Sequence, residues 1–481
     1  MDISYYDDNE CSECNDYDRV QQIPETFQHN YENCLIPSVY GTLEYLFPLF
    51  LFNIIFKLLI TQAGKISSNE LLHSISIIFG IFIIYYFVPE SLYLLLIYVI
   101  ISYGCLCLPL RPLQNYRIEM FIISLVIILY CEYTMDPVAW HKIRSVIMIA
   151  AMKAISMSFD KATSTPQPFL LLSNFLQYAG YIFNPSTCLF GPWISFQDYI
   201  TLLTHVESEK SIWVTLPLNI FRTLKSLSIS LTFLIMSNCW TQWFISEEAQ
   251  QFTGGKWLLA YRDALSFRTS HYFISYLSAT LLIIGGSTPS SLSSLTTITR
   301  PIDIEMPRSL VQVVISWNVP MHTWLKLYIF RPAVRSIGKF NAVALTYLTS
   351  SLLHGLNFQL AAVLLSLGLY TYVEFQLRHI LAKTFDACIS AKECPSSSGN
   401  INSKICRYEK HWYNNGWVFL VNFAFSALSV FHLAYLGLMF DTSDLQETGY
   451  NYSHTIEKWS HLGFASHWVA FTMYLIYFFI K

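Results

Sequence analysis

Two polar side chains stand where the chain is otherwise oily. His354 lies in "SSLLHGLNF", between the runs "FNAVALTYLTSSLL" and "LNFQLAAVLLSLGLYTYV". No Asp, Glu, Lys or Arg occurs between Lys339 and Glu374. Ionisable groups inside a membrane are expensive, so they are read first as functional. A neutral imidazole can accept a proton near physiological pH, as a general base must. It can also relay a proton, bind a metal, or simply be hydrogen-bonded within a helix bundle. Gly355 removes a side chain beside it and lets another group approach. Asn318 precedes His354 by 36 positions, in "SWNVP". Its amide donates two hydrogen bonds without carrying charge, which suits a carbonyl or a developing oxyanion. Locally, an Asn two residues before Pro320 also reads as a helix cap or turn.

The elements that hold these residues must be membrane helices. Of the 481 residues, 53% are apolar and 13% charged, against about 25% charged in soluble domains. Apolar runs recur near 43–62, 71–88, 91–110, 119–135, 145–157, 168–192, 211–237, 271–287, 308–325, 340–353, 356–377, 416–440 and 462–480. Several approach the roughly 20 residues that span a bilayer. The expected fold is an all-α polytopic membrane protein of about ten to twelve membrane segments, some re-entrant or interfacial. No two-residue alternation suggests a barrel, and no internal repeat suggests a transporter. Residues 1–42 read as an acidic, flexible tail and residues 43–481 as one integral membrane domain. The expected environment is a lipid bilayer, and nucleic acid is not an expected partner.

Loop charges give an orientation. Residues 1–45 hold ten acids and one base, Arg19; a dearth of Lys and Arg reads as lumenal. The stretch "LKLYIFRPAVRSIGK" carries Lys326, Arg331, Arg335 and Lys339 without an acid, and reads as cytosolic. So does the loop Arg378–Lys410, with six bases against three acids. His354 then marks the turn of a hairpin whose two ends face the cytosol. The acidic loop 441–461, with a possible sequon at Asn451, reads as lumenal, leaving the C-terminus cytosolic. His141, Lys142 and Arg144 break the alternation, as interfacial or re-entrant helices would.

Other polar residues have ordinary readings. The eleven cysteines do not suggest a disulfide framework: Cys105, Cys107, Cys131, Cys188 and Cys239 read as small hydrophobes. Cys388, Cys394 and Cys406 read as free loop thiols, with lipidation the alternative. The pair Cys11 and Cys14 stands alone, without the second pair of a metal site. Lys153 and Glu374 read as paired in the core, cavity-lining, snorkelling or helix-end groups. His432 and His467 read as packing residues.

The ordered set "MIAAMKAISMSFD", "FGPWISF", "RPIDIEMPRSLVQVVISWN", "LLHGLNFQLAAVLLSLGLYTYVE", "FHLAYLGLMFD" and "ASHWV" resembles the membrane-bound O-acyltransferase family. It is most similar to the branch that acylates Wnt proteins on serine. The likeness runs from about residue 140 to the C-terminus. It implies that His354 and Asn318 are the active-site pair, with Trp317, Ser351 and Gly355 beside them. It implies palmitoleoyl-CoA as donor, a Wnt protein as acceptor, and the endoplasmic reticulum membrane as location. No metal and no tightly bound cofactor are implied. Arg331, Arg335 and Lys339 are candidates to meet the phosphates of the fatty acyl-CoA; an ordinary positive-inside loop would look the same. Ser350 and Ser351 share a helical face with His354. The alternatives are a family member acting on another protein or a lipid, and a transporter with His354 in a proton path.

Overall fold

The computed structural model describes residues 26–64, 69–107, 116–161, 172–204, 209–286, 295–392, 410–411, 415–440 and 452–481. Cys11, Cys14, Cys394, Cys406 and Asn451 lie outside these residues. Among the described residues every regular element is helical, and β pairing is limited to a bridge between Ala387 and Lys410. The helices are α1 (Phe27–Ala63), α2 (Asn69–Phe87), α3 (Leu92–Cys107), α4 (Tyr116–Thr134), α5 (Pro137–Lys161), α6 (Leu172–Ile182) and α7 (Phe196–Thr204). Then come α8 (Glu209–Ile235), continuing through a π turn to Phe244, α9 (Gly255–Gly285), α10 (Pro301–Glu305), α11 (Leu310–Trp317) and α12 (Val319–Trp324). The last are α13 (Arg331–Leu353), α14 (Phe358–Phe385), α15 (Gly416–Gly437), α16 (Tyr452–His461) and α17 (Ala465–Ile480).

α1, α2, the Leu216–Phe244 stretch, α14 and α15 are each long and apolar enough to cross a membrane. The pair α16 and α17, bent by 73°, passes the same test together. α3 is apolar but shorter. α5, α9 and α13 are long but more polar, and the sequence estimate of about ten to twelve segments counts these too. Charged groups buried in the bundle have partners there. Lys153 of α5 is fully buried and donates to the carbonyls of Tyr181 (2.8 Å) and Ile182 (3.2 Å) and to Thr187 Oγ1 (2.9 Å). Glu374 and Arg378 of α14 form a buried pair (3.1 Å). Such pairing is what permits charge at low dielectric.

Helix formation begins earlier than the expected flexible tail allows. Thr26 Oγ1 caps α1 by accepting from the His29 N–H, and residues 27–42 are helical. Two long-range contacts hold this stretch: a Cys34–Cys239 disulfide and the Phe27 ring against Trp243, 6.0 Å between centroids. Cys239 is therefore not the small free hydrophobe expected of it. Cys388 is likewise disulfide-bonded rather than a free loop thiol.

The two bridges lie at opposite ends of the bundle. α14 and α15 run antiparallel: Gln359 at the start of α14 donates to Met439 O (2.7 Å), and Arg378 near its end donates to Asn422 (2.8 Å). Cys388 follows the end of α14. At the other end Gly437 lies against Ala264 of α9, and Ser237, two residues before Cys239, bonds to the Ser266 carbonyl (2.9 Å). The Cys34–Cys239 bridge is thus at the end that carries the His354 turn.

Candidate active site

Asn318 occupies a deliberate break in a helix. α11 ends at Trp317, Asn318 takes an extended backbone (φ −145°, ψ 91°), and α12 starts at Val319 with Pro320 in its first turn. Asn318 Oδ1 accepts from the Met321 N–H (3.0 Å), capping α12. A break strands backbone groups that a continuous helix would pair internally, and several of them find partners. Ser316 O accepts from Arg300 N (3.0 Å) and Thr299 Oγ1 (3.2 Å), and Val319 N donates to Ile298 O (2.8 Å). Trp317 O accepts from His271 Nε2 of α9 (2.8 Å). The His271 ring also stacks on the Trp317 indole, 4.4 Å apart and 7° from parallel. With Oδ1 engaged, the Nδ2 donors of Asn318 have no hydrogen-bond partner among the described residues.

His354 sits in the turn between α13 and α14. Its N–H bonds to Ser351 O and the Gly355 N–H to Leu352 O, both at 3.1 Å. Asn357 Oδ1 then caps α14 by accepting from Leu360 N (3.0 Å). Gly355 has φ +87°, and a Cβ there would collide with the Glu132 carboxylate. That carboxylate accepts from Trp140 Nε1 (2.6 Å). Arg144, one helical turn beyond Trp140, acts electrostatically on both Glu132 and His354. Ser351 is buried behind the turn.

α5 ties the two residues to one wall. Its Trp140 end faces the His354–Gly355 turn, while its Met152 carbonyl accepts from Trp324 Nε1 of α12 (3.0 Å). Leu353, Trp140, Met152 and Trp324 share one apolar core. Among the described residues no hydrogen bond joins His354 to Asn318 directly. The two anchoring points on α5, Trp140 and Met152, are 12 positions apart, about 18 Å of helical rise. Among the described residues no three His, Cys, Asp or Glu side chains group as a metal site would require.

Comparison with known proteins decides which chemistry this is. The model of MBOAT, the membrane-bound O-acyltransferase family, matches residues 82–397. The chain belongs to that family. It is 34% identical over 479 residues to the human "Protein-serine O-palmitoleoyltransferase porcupine", covering 94% of this chain and 98% of that one. The mouse protein of the same name is 35% identical over 480 residues, with the same coverage. The Anopheles gambiae protein of that name is 34% identical over 483 residues, covering 95% and 94%. This membrane-bound O-acyltransferase is therefore an acyl-transferring enzyme with several membrane passes.

The remaining candidates fall into two groups. Trp317, Ser351 and Gly355 adjoin the Asn318 break or the His354 turn. Arg331, Arg335 and Lys339 are exposed at the far end of α13, before and beyond a kink at Gly338 (φ 79°). Sequence reasoning missed His271, Glu132 and Trp140. "SFRTSHYF" carries no local sign that its histidine meets an indole 46 residues away. His432 bonds to Ser466 and His467 to Tyr435, both at 3.0 Å, so these two histidines join α15 to α17.

Proposed function

We propose that this acyltransferase moves a palmitoleoyl group from palmitoleoyl-CoA to a serine hydroxyl of a Wnt protein. The observation that carries the reading is similarity over nearly the whole chain to relatives named for serine palmitoleoylation. The Wnt acceptor follows from the branch resemblance of the sequence. His354 takes the serine proton as the hydroxyl oxygen attacks the thioester carbon. The Nδ2 donors of Asn318 receive charge gathering on the carbonyl oxygen. The carbon–sulfur bond then breaks and the proton passes from the imidazole to the departing sulfur. The products are a serine ester and free coenzyme A, and the scheme needs no resident metal or cofactor.

The donor enters from the cytosolic face, where Arg331, Arg335 and Lys339 meet its phosphates. Beyond the kink at Gly338, the stretch from Lys339 to Leu353 gives about 22 Å of helical rise between Lys339 and the His354 turn. The acceptor enters from the lumen of the endoplasmic reticulum. The scarcity of Lys and Arg in residues 1–45 supports a lumenal N-terminus and, with the basic clusters on the other face, a cytosolic C-terminus; disulfides occur at both ends of the bundle and do not set the orientation. The test supplies purified enzyme with palmitoleoyl-CoA, a saturated competitor and a Wnt hairpin peptide. Mass analysis should find the monounsaturated chain on serine, and His354→Ala should abolish it. Absence of serine ester with wild-type enzyme, or full transfer by His354→Ala, overturns the proposal.

A further inference from the structure

We infer that His271 is a positioning residue for Asn318, acting through the backbone of Trp317; this rests on the acyl-transfer reading above. One turn of α9 grips the segment that leads to Asn318. Arg268 donates from Nε and Nη2 to the Glu305 carboxylate (2.8 and 2.9 Å), and Tyr272 Oη donates to the same group (2.7 Å). Between them in sequence, His271 reaches the other end of the segment, at Trp317 O (2.8 Å).

The consequence lies in the hydrogen bonds of Met321. Its N–H has two natural acceptors. In a continuing helix it would bond to Trp317 O, four residues back; at a cap it bonds to Asn318 Oδ1. His271 holds the Trp317 carbonyl toward α9, out of line with the Met321 N–H, which takes Asn318 Oδ1 instead. Because a carbonyl only accepts, the bonded Nε2 carries the proton, which fixes the ring tautomer. The stacked indole, 4.4 Å away and nearly parallel, fixes the ring plane. Asn318 Oδ1 is then committed to Met321, and the amide presents Nδ2 as its free donor. Without His271, Met321 is free to return to Trp317 O, and the Asn318 amide loses the bond that orients it.

The test is a mutant cycle in the full-length enzyme, measuring acyl transfer to a serine peptide. His271→Phe keeps a ring on the indole and removes the donor. His271→Gln restores a donor at the position of Nε2. His271→Phe should lower kcat about 10- to 100-fold, the scale of a roughly 1 Å misplacement, with KM for the donor within about twofold. His271→Gln should recover most of the loss, and both variants should unfold thermally as wild type does. In an Asn318→Ser background, which keeps the capping oxygen and lacks the amide, His271→Phe should add nothing. If His271→Phe does not accumulate, His271→Asn replaces it, because its amide is too short to reach Trp317 O. An unchanged kcat, or losses that multiply in the double variant to within about twofold, overturns the inference. Absence of transfer by wild-type enzyme sinks the acyl-transfer reading itself, and with it this inference.

Discussion

Substituting Gly355 tests whether the shape of the His354 turn matters to the reaction. Gly355→Ala has two separable costs. The backbone at φ +87° lies in the left-handed region, where a side chain costs about 1–2 kcal/mol. The new methyl would also collide with Glu132, whose carboxylate must swing out and release Trp140 Nε1. A hydrogen bond to a charged group is worth about 1.5–3 kcal/mol. The sum is about 2.5–5 kcal/mol, against a usual folding stability of about 5–15 kcal/mol, so the variant should fold with a lowered Tm. The catalytic cost is larger. A turn displaced by about 1 Å carries His354 with it, and such misplacement costs about 100-fold. The assay is acyl transfer at saturating donor, beside thermal unfolding in detergent. Glu132→Ala in the same molecule removes the collision and keeps the backbone strain. The double variant should therefore regain part of the lost rate, with Glu132→Ala alone as the reference. A folded Gly355→Ala enzyme with wild-type kcat would refute the reasoning.

Asn318→Asp keeps an oxygen for the Met321 N–H but removes the free amide donors, so it should fold normally. Its kcat should fall about 100- to 1000-fold, the usual cost of one oxyanion donor; near-normal transfer would assign the donor elsewhere. Glu374→Ala should cost about 3–5 kcal/mol, because it strands the buried Arg378 charge and leaves the Leu310 N–H at the start of α11 without its carboxylate acceptor. Thermal unfolding reads this directly, and an unchanged Tm would contradict the pairing. The two disulfides report orientation. In sealed microsomes, a membrane-impermeant reductant followed by an impermeant maleimide should label Cys388, which is bridged on the proposed cytosolic face. Cys34 and Cys239 should react only after permeabilisation and reduction, and the reverse pattern would invert the proposed orientation.

What the sequence made legible is local. Runs of apolar residues announce membrane helices whatever they pack against, and the His354 turn stands out because charge is missing on both sides of it. The bridge from Cys34 to Cys239 crosses 205 residues, and nothing near either cysteine marks its mate. Residues 27–42 look like a tail because they are polar, yet that bridge and the Phe27–Trp243 contact hold them as helix. The charge on Lys153 suggested a cavity or a snorkelling side chain as readily as a core pair. Its partners are backbone carbonyls and a threonine, which no charge pattern can display.

Asn318 is the instructive case, because its two sequence readings compete only on paper. As a helix cap it needs Oδ1, and as a donor to a reacting carbonyl it needs Nδ2. The amide has both, and the structure uses the first in a way that leaves the second free. The break that creates the cap also releases Trp317 O, which then serves as the handle by which α9 holds the site. Pro320 sharpens the break, since proline cannot donate to the carbonyl four residues before it. In a bilayer such an interruption survives only where protein satisfies every stranded group. Here the groups that do so come from α9 and the strand-like residues 298–300. The geometry proposed for Asn318 is therefore inseparable from the folding of that break: the same bonds that satisfy its backbone groups aim its amide.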